Sequence, residues 1–219
     1  MDGSRSAETR RRILQIAQEL FSTQGLERTT MRDITAAAGV NIAAVNYHFR
    51  SKEGLIEELL ANISLRINQR RREALKRYLE GVERTGETPK LDVLVDIFIE
   101  PYVDPESGHV APLLAQLILQ HRLRPTPVTR KIIAEHFDPM AQEYVAALVQ
   151  TNPAVPQVEW YWRYLFMVST VIMMLTDNAE HNRLVRLSEG AASVANRDSL
   201  RRYLRRFLIG GLSASPALS

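Results

Sequence analysis

The 219-residue chain contains no cysteine. That absence excludes a disulfide framework and a thiolate metal site, and it fits a reducing cytoplasmic setting. The opening stretch MDGSRSAETRRR is charged and has no apolar core of the kind a secretory signal needs, so a cytoplasmic protein is expected. No apolar run approaches the roughly 18 residues of a membrane span. The longest, between Arg163 and Asp177, holds 13 residues. A glycine-rich phosphate loop and a nucleophile elbow are also missing, so the chain offers no enzymatic constellation and no cofactor site. Asp177, Glu180 and His181 do stand at i, i+3, i+4, a spacing that can hold a metal. They close an apolar segment at its polar end, where such residues ordinarily meet water, and no metal is expected there.

What is present is mostly helical signal. With 45% hydrophobic residues the chain can build one or two packed cores. The formal charge of +3 is unevenly placed: residues 1–80 hold 14 Lys/Arg against 10 Asp/Glu, and residues 81–219 hold 14 against 15. The positive excess belongs to the N-terminal part and points to a polyanionic partner there.

Ile13, Leu14, Ala17, Leu20 and Phe21 recur at helical spacing, with Ser6 placed to cap this first helix and Gly25 to end it. Thr30, with Asp33 three residues on, forms a capping-box pattern for a short second helix that Gly39 stops. Asn41 caps a third helix of about residues 42–48, which sends Val45 and Phe49 inward; Ser51 caps a fourth. Two short helices around a glycine turn, buttressed by a first, make a helix-turn-helix at about residues 29–48. Ala37 and Ala38 would let the two helices approach. The third helix is the one such a motif lays in the major groove.

The segment TTMRDITAAAGVNIAAVNYHFRSKEGL resembles the DNA-binding end of the TetR family of transcriptional regulators, through Thr30, Ala38, Gly39, Val40, Tyr47, His48, Phe49, Ser51, Lys52, Glu53 and Leu55. The resemblance covers roughly residues 6–66. One position departs: Asn46 stands where the family often has Tyr. Asn can reach a phosphate or pair bidentately with an adenine edge, and both roles remain open. The residues expected at DNA are Thr30, Asn41, Ala43, Ala44, Asn46, Tyr47, His48 and Lys52. The alanine methyls would meet thymine methyls, and Tyr47 and His48 would meet phosphates. Lys52 is informative because a cation in a helix's first turn opposes the macrodipole, an arrangement a docked phosphate reverses.

The resemblance implies an all-α protein: a DNA-binding domain at 6–66 and a helical ligand-binding and dimerisation domain at 67–213. Residues 52 to about 84 read as one helix, with Leu55, Leu59, Ile63 and Ile67 inward and Arg66, Arg70, Arg71, Arg72, Lys76 and Arg77 as a solvated face. Further helices are expected at 90–103, up to about 122, at 127–150 with a kink at Pro139, and at 198–212. From Val158 to Leu175 apolar residues lie on every face, which requires burial in a core or an interface, and packing on several helices and a second subunit is expected. Phe98, His121, Met140, Trp160, Phe166, Met167 and Met173 are candidates for lining a pocket for an apolar or amphipathic effector. The stripe of Leu200, Leu204, Phe207 and Leu208 is first a core feature, and the resemblance makes these residues candidates for the homodimer interface as well. The expected protein is thus a cytoplasmic, ligand-responsive repressor that binds a palindromic double-stranded operator as a dimer. The competing reading is a helical module that uses its arginine-rich helix against an acidic partner or a membrane surface.

Overall fold

The structure, a computed structural model, describes residues 2–104, 110–177 and 182–216, and all regular structure among them is helical. Helix α1 (Asp2–Gln24) buries Ile13, Ala17 and Phe21 and stops at Gly25, whose φ of 85° turns the chain. It begins before Ser6, so Ser6 lies within the helix and does not cap it. Helices α2 (Met31–Ala38) and α3 (Ile42–Phe49) pack on it through Ile34, Ala38, Val45 and Phe49. Of the two alanines expected between them, Ala38 is buried and Ala37 is exposed.

Helix α4 (Lys52–Thr85) closes this unit with Leu55 and Leu59 and then runs on as the spine of the body. Its apolar stripe continues through Ile63 and Ile67 to Leu75. The body adds α5 (Leu91–Val103), α6 (Val110–Leu123), α7 (Pro127–Ile132), α8 (Asp138–Thr151), α9 (Gln157–Leu175), the short α10 (Arg183–Leu187) and α11 (Arg197–Leu212). The expected kink near Pro139 takes the form of a π-helical turn, Ile133–Phe137, between α7 and α8. Pro139 itself sits in the first turn of α8, where its missing N–H leaves no bond unmade.

Two expectations for the body are corrected. Arg71 is not on a solvated face but 3% exposed, because it falls between Ile67 and Leu75 on the buried stripe of α4. The C-terminal stripe also divides. Leu200, Leu204 and Leu208 are buried in the protomer's own core against α5 and α9, and of the four interface candidates Phe207 alone stays outside. Ion pairs from Arg205 to Asp92 (3.2 Å) and Asp96 (2.8 Å) fasten α11 to α5. Helix α9 shows two faces. Trp160, Arg163, Met167, Val171, Ile172 and Leu175 turn inward, whereas Val158, Tyr161, Trp162, Leu165, Phe166 and Met173 are exposed.

Candidate nucleic-acid interface

Local hydrogen bonds set α2 and α3 in place. The Thr30 hydroxyl accepts from the Asp33 N–H at 3.2 Å, and the Asp33 carboxylate accepts from the Thr30 hydroxyl at 2.7 Å and the Thr30 N–H at 2.8 Å. Those donors, the hydroxyl first, hold the Asp33 carboxyl below its ordinary range. Gly39 ends α2 at φ 62°, giving its N–H to Ala36, and a Cβ there would meet the Arg12 guanidinium at 3.0 Å. The Asn41 side-chain Oδ1 accepts from the Ala44 N–H at 2.8 Å, so its capping function occupies that oxygen rather than the side-chain N–H groups.

With Val45 and Phe49 anchoring one side of α3, Asn41, Ala43, Asn46 and Tyr47 are exposed on the other, Tyr47 at 80%. Ala44 and His48 are half-buried, and the His48 ring meets the Tyr47 ring edge-on at 5.1 Å. Of the eight expected contacts, Asn41, Ala43, Ala44, Asn46, Tyr47 and His48 lie on α3 and its cap, whereas Thr30 caps α2 and Lys52 opens α4. Thr30 is spent on its cap, and Lys52 places its ammonium over the Phe21 ring at 5.9 Å. That position keeps the Lys52 cation at the N-terminus of α4, next to the Ser51 cap, whose hydroxyl accepts from the Gly54 N–H at 3.1 Å.

Two residues at the α3–α4 corner escaped the sequence reading. Arg50 is exposed and has φ 65° and ψ −46°, with the Ser51 N–H reaching the Phe49 carbonyl at 2.7 Å. This is a positive-φ γ-turn, a strained arrangement for a residue with a side chain. It presents a cation beside the exposed end of α3. Gly54 permits the corner, since a Cβ there would lie 2.2 Å from the Phe49 carbonyl oxygen. A glycine on a helical face carries no sequence signal for so close an approach. Arg50, inside the RSKE run, could have been marked as one more cation at the helix junction.

The candidate effector residues are not gathered. Phe98, Met140, Trp160 and Met167 are buried in the body, whereas Phe166 and Met173 face outward on α9, at 61% and 62% exposure. His121 lies elsewhere again, in a cavity of about 340 Å³ between α4, α6 and α7 that Lys52 also lines. Its Nδ1 is 2.7 Å from the Thr129 hydroxyl, and burial, followed by Arg122 and Arg130, lowers its pKa. The Thr126 hydroxyl gives a 2.6 Å bond to Glu57, and Arg10 pairs with Glu58 at 2.7 Å, so α7 and α1 both fasten to the first turns of α4. Of the metal-spaced residues, Asp177 accepts from the Arg183 and Leu184 N–H groups, and Glu180 and His181 lie outside the described residues. No group able to hold a metal ion and no helix long and apolar enough to cross a membrane is found among the described residues.

An exposed helix carrying amide and methyl groups, cross-braced and capped at both ends, defines a helix-turn-helix nucleic-acid-binding protein. Residues 13–59 match the family described as bacterial regulatory proteins, tetR family, and residues 96–211 match the tetracyclin repressor-like C-terminal domain. The chain belongs to the TetR family. It is 42% identical over 57 residues to the HTH-type transcriptional repressor KstR2 of Mycolicibacterium smegmatis, a match over 26% of this chain and 28% of that one. The chain therefore spans under a third of that relative's length in the comparison. The solved structure of the ketosteroid transcriptional regulator KstR2 of Mycobacterium tuberculosis superposes with a TM-score of 0.61 at 22% identity, over 92% of this chain and 93% of that one. Mycobacterium smegmatis AmtR gives 0.59 at 19%, over 94% and 86%. These two likenesses show the fold.

Proposed function

We propose that this chain is a dimeric, ligand-responsive transcriptional repressor that reads a palindromic operator with α3. The observation that carries this reading is the outward face of α3, where Asn41, Ala43, Asn46 and Tyr47 are exposed while Val45 and Phe49 lock the opposite face into the core. Asn46 would meet an adenine edge or a phosphate, and the alanines thymine methyls. Arg50, Tyr47, His48 and Lys52 would meet phosphates. The relative matched over this end is named a repressor, which supports the sign of regulation.

Two further features support dimerisation and response. The outer face of α9 leaves Trp162 and Phe166 exposed with rings 6.1 Å apart, and α11 leaves Tyr203 and Phe207 exposed. Exposed aromatic side chains on two helices suit an interaction site, and two-fold pairing would give the two α3 helices a palindrome to read. Helix α4 is continuous from the corner at Ser51 into the body, so a ligand that favours one setting of the body would shift the setting of α3. The arginine run offers less to the competing module: Arg70 and Arg72 pair with α5 and α8 carboxylates, Arg66 bonds Gln18, and Arg71 is buried.

Selection of binding sites from random duplexes by the purified protein tests the proposal. Enrichment of an inverted repeat with half-sites about 34–36 Å apart is expected. Salt-sensitive binding with no enriched sequence would leave the surface-binding module as the better reading.

A further inference from the structure

Three consecutive arginines on α1 are placed differently. Arg10 is half-buried, pairs with Glu58 at 2.7 Å and lies over the Phe49 ring at 5.5 Å, so it braces α1 against α3 and α4. Arg11 and Arg12 are exposed, and neither side chain forms an ion pair or a hydrogen bond among the described residues. Glu8 stands one helical turn before Arg12, at the i, i+4 spacing that ordinarily favours such a pair, yet the two do not pair. The Arg12 guanidinium lies instead at the turn between α2 and α3. Its Nη2 is 3.0 Å from where a Gly39 Cβ would stand, so it occupies the space that this glycine leaves open.

The other end of α3 carries a matching cation. Arg50 follows the helix at φ 65°, exposed and likewise without an ion pair among the described residues. Each arginine is held at a positive-φ turn, Arg12 over Gly39 at φ 62° and Arg50 by its own backbone. Between them α3 holds eight residues, about 12 Å at the helical rise, and the major groove is also about 12 Å wide. The walls of that groove are phosphate backbones. A helix lodged in it with a cation at each end therefore offers one cation to each wall.

We infer that Arg12 binds a backbone phosphate beside the N-terminal end of α3, and that Arg12 and Arg50 together bracket the groove and fix the register of α3 within it. The planar guanidinium suits two phosphate oxygens at once, and such a contact positions a protein on the duplex without reading sequence. Gly39 then serves twice: it ends α2 and it leaves the seat that aims Arg12 at the turn. The inference rests on the reading of α3 as the helix in the groove. It adds a contact from α1, a helix that holds none of the residues expected at DNA.

The test uses the full-length protein and the best duplex that wild type selects from random sequence, with affinity measured across a salt series. Arg12→Gln should weaken binding several-fold, lower the salt slope by about one per subunit and leave the selected half-site unchanged. Arg12→Lys, which keeps the charge, should restore the slope, and R12Q/R50Q should lower it by about two per subunit. Arg11→Gln, one residue along on another face of α1, should leave the slope near wild type. Melting temperature is read beside each variant. An Arg12→Gln protein that melts lower but keeps its salt slope would make Arg12 a brace of the turn and overturn the inference. A slope lowered equally by Arg11→Gln would overturn it too, leaving only a diffuse positive field, and so would an altered half-site, which would move Arg12 to a base edge. If wild type selects no sequence at all, the reading of α3 fails; if wild type selects a palindrome and Arg12→Gln keeps the slope, only this inference fails.

Discussion

The two ends of the molecule satisfy their polar groups differently. In the N-terminal unit the hydrogen bonds that set α2, α3 and the start of α4 are local: Thr30 with Asp33, Asn41 with Ala44, Ser51 with Gly54, each three residues apart. In the body they join distant parts of the chain. Arg72 meets Glu143, Asn68 meets the His136 carbonyl at 2.8 Å, Arg205 meets Asp96, and Arg163 on α9 donates to the Ala214 carbonyl at 2.8 Å beyond α11. Local caps leave Asn46 and Tyr47 on the outer face of α3 unspent, whereas pairing between distant parts of the chain engages Arg70, Arg72 and Arg205 in the body. The N-terminal unit is built to offer donors outward, and the body to hold them inside.

Breaking the body should have the largest effect, and one helix supplies the contrast. Leu204→Asp places a charge in the protomer core, where Leu204 is 5% exposed, and should cost about 3–5 kcal/mol with loss of helical signal. Phe207→Asp, at a position 66% exposed, should leave the fold intact and give a monomer with weak operator binding. Circular dichroism beside light scattering separates the two. A folded Leu204→Asp monomer would move that leucine from the core to the interface.

The corner between the regions comes next. Gly54→Ala forces a methyl against the Phe49 carbonyl and should cost about 1–3 kcal/mol, felt as lost operator affinity before any loss of body helix. Chemical denaturation monitored with and without operator checks this. Of similar size but confined to binding, Asn46→Ala should cost about 1–3 kcal/mol on the best operator and relax one position of each half-site if Asn46 reads a base. Site selection with an unchanged base preference would assign Asn46 to phosphate instead.

Smaller effects sharpen the picture of local caps. Thr30→Ala should destabilise the N-terminal unit by about 1 kcal/mol. Because the folded-state pKa of Asp33 is depressed, its contribution is present above the unfolded value near 4 and is lost as pH falls below it. The gap between the thermal melts of wild type and Thr30→Ala should therefore narrow in that acidic window without closing, because the bond from the Asp33 N–H to the Thr30 hydroxyl does not titrate. Lys52→Ala should weaken binding to all duplexes alike and reduce the salt slope by about one per subunit. A slope that stayed unchanged would assign Lys52 to its contact with Phe21.

The same local-versus-distant contrast decides what could be read in advance. Caps at Thr30, Asn41 and Ser51 and stops at Gly25 and Gly39 are legible because cap and partner lie within one turn. Ser6 misled because an N-cap pattern also occurs inside a helix that starts earlier. Arg71 stands among charged neighbours, yet its spacing from Ile67 and Leu75 sets it on the inner face, so period is the stronger signal there. The stripe of Leu200, Leu204 and Leu208 signals burial, but a stripe does not say whether α5 or a second subunit covers it. The approach of Gly54 to Phe49, and the outward turn of Phe166 and Met173, depend on how helices sit against one another, which spacing along one helix does not encode.

The central claim is that α3 and its flanks, not the arginine-rich stretch of α4, meet DNA. Amide hydrogen exchange on the free and the operator-bound protein tests it most directly. The account predicts new protection across residues 41–54 and little change at 66–77. Protection centred on 66–77, with 41–54 exchanging as in the free protein, would contradict it.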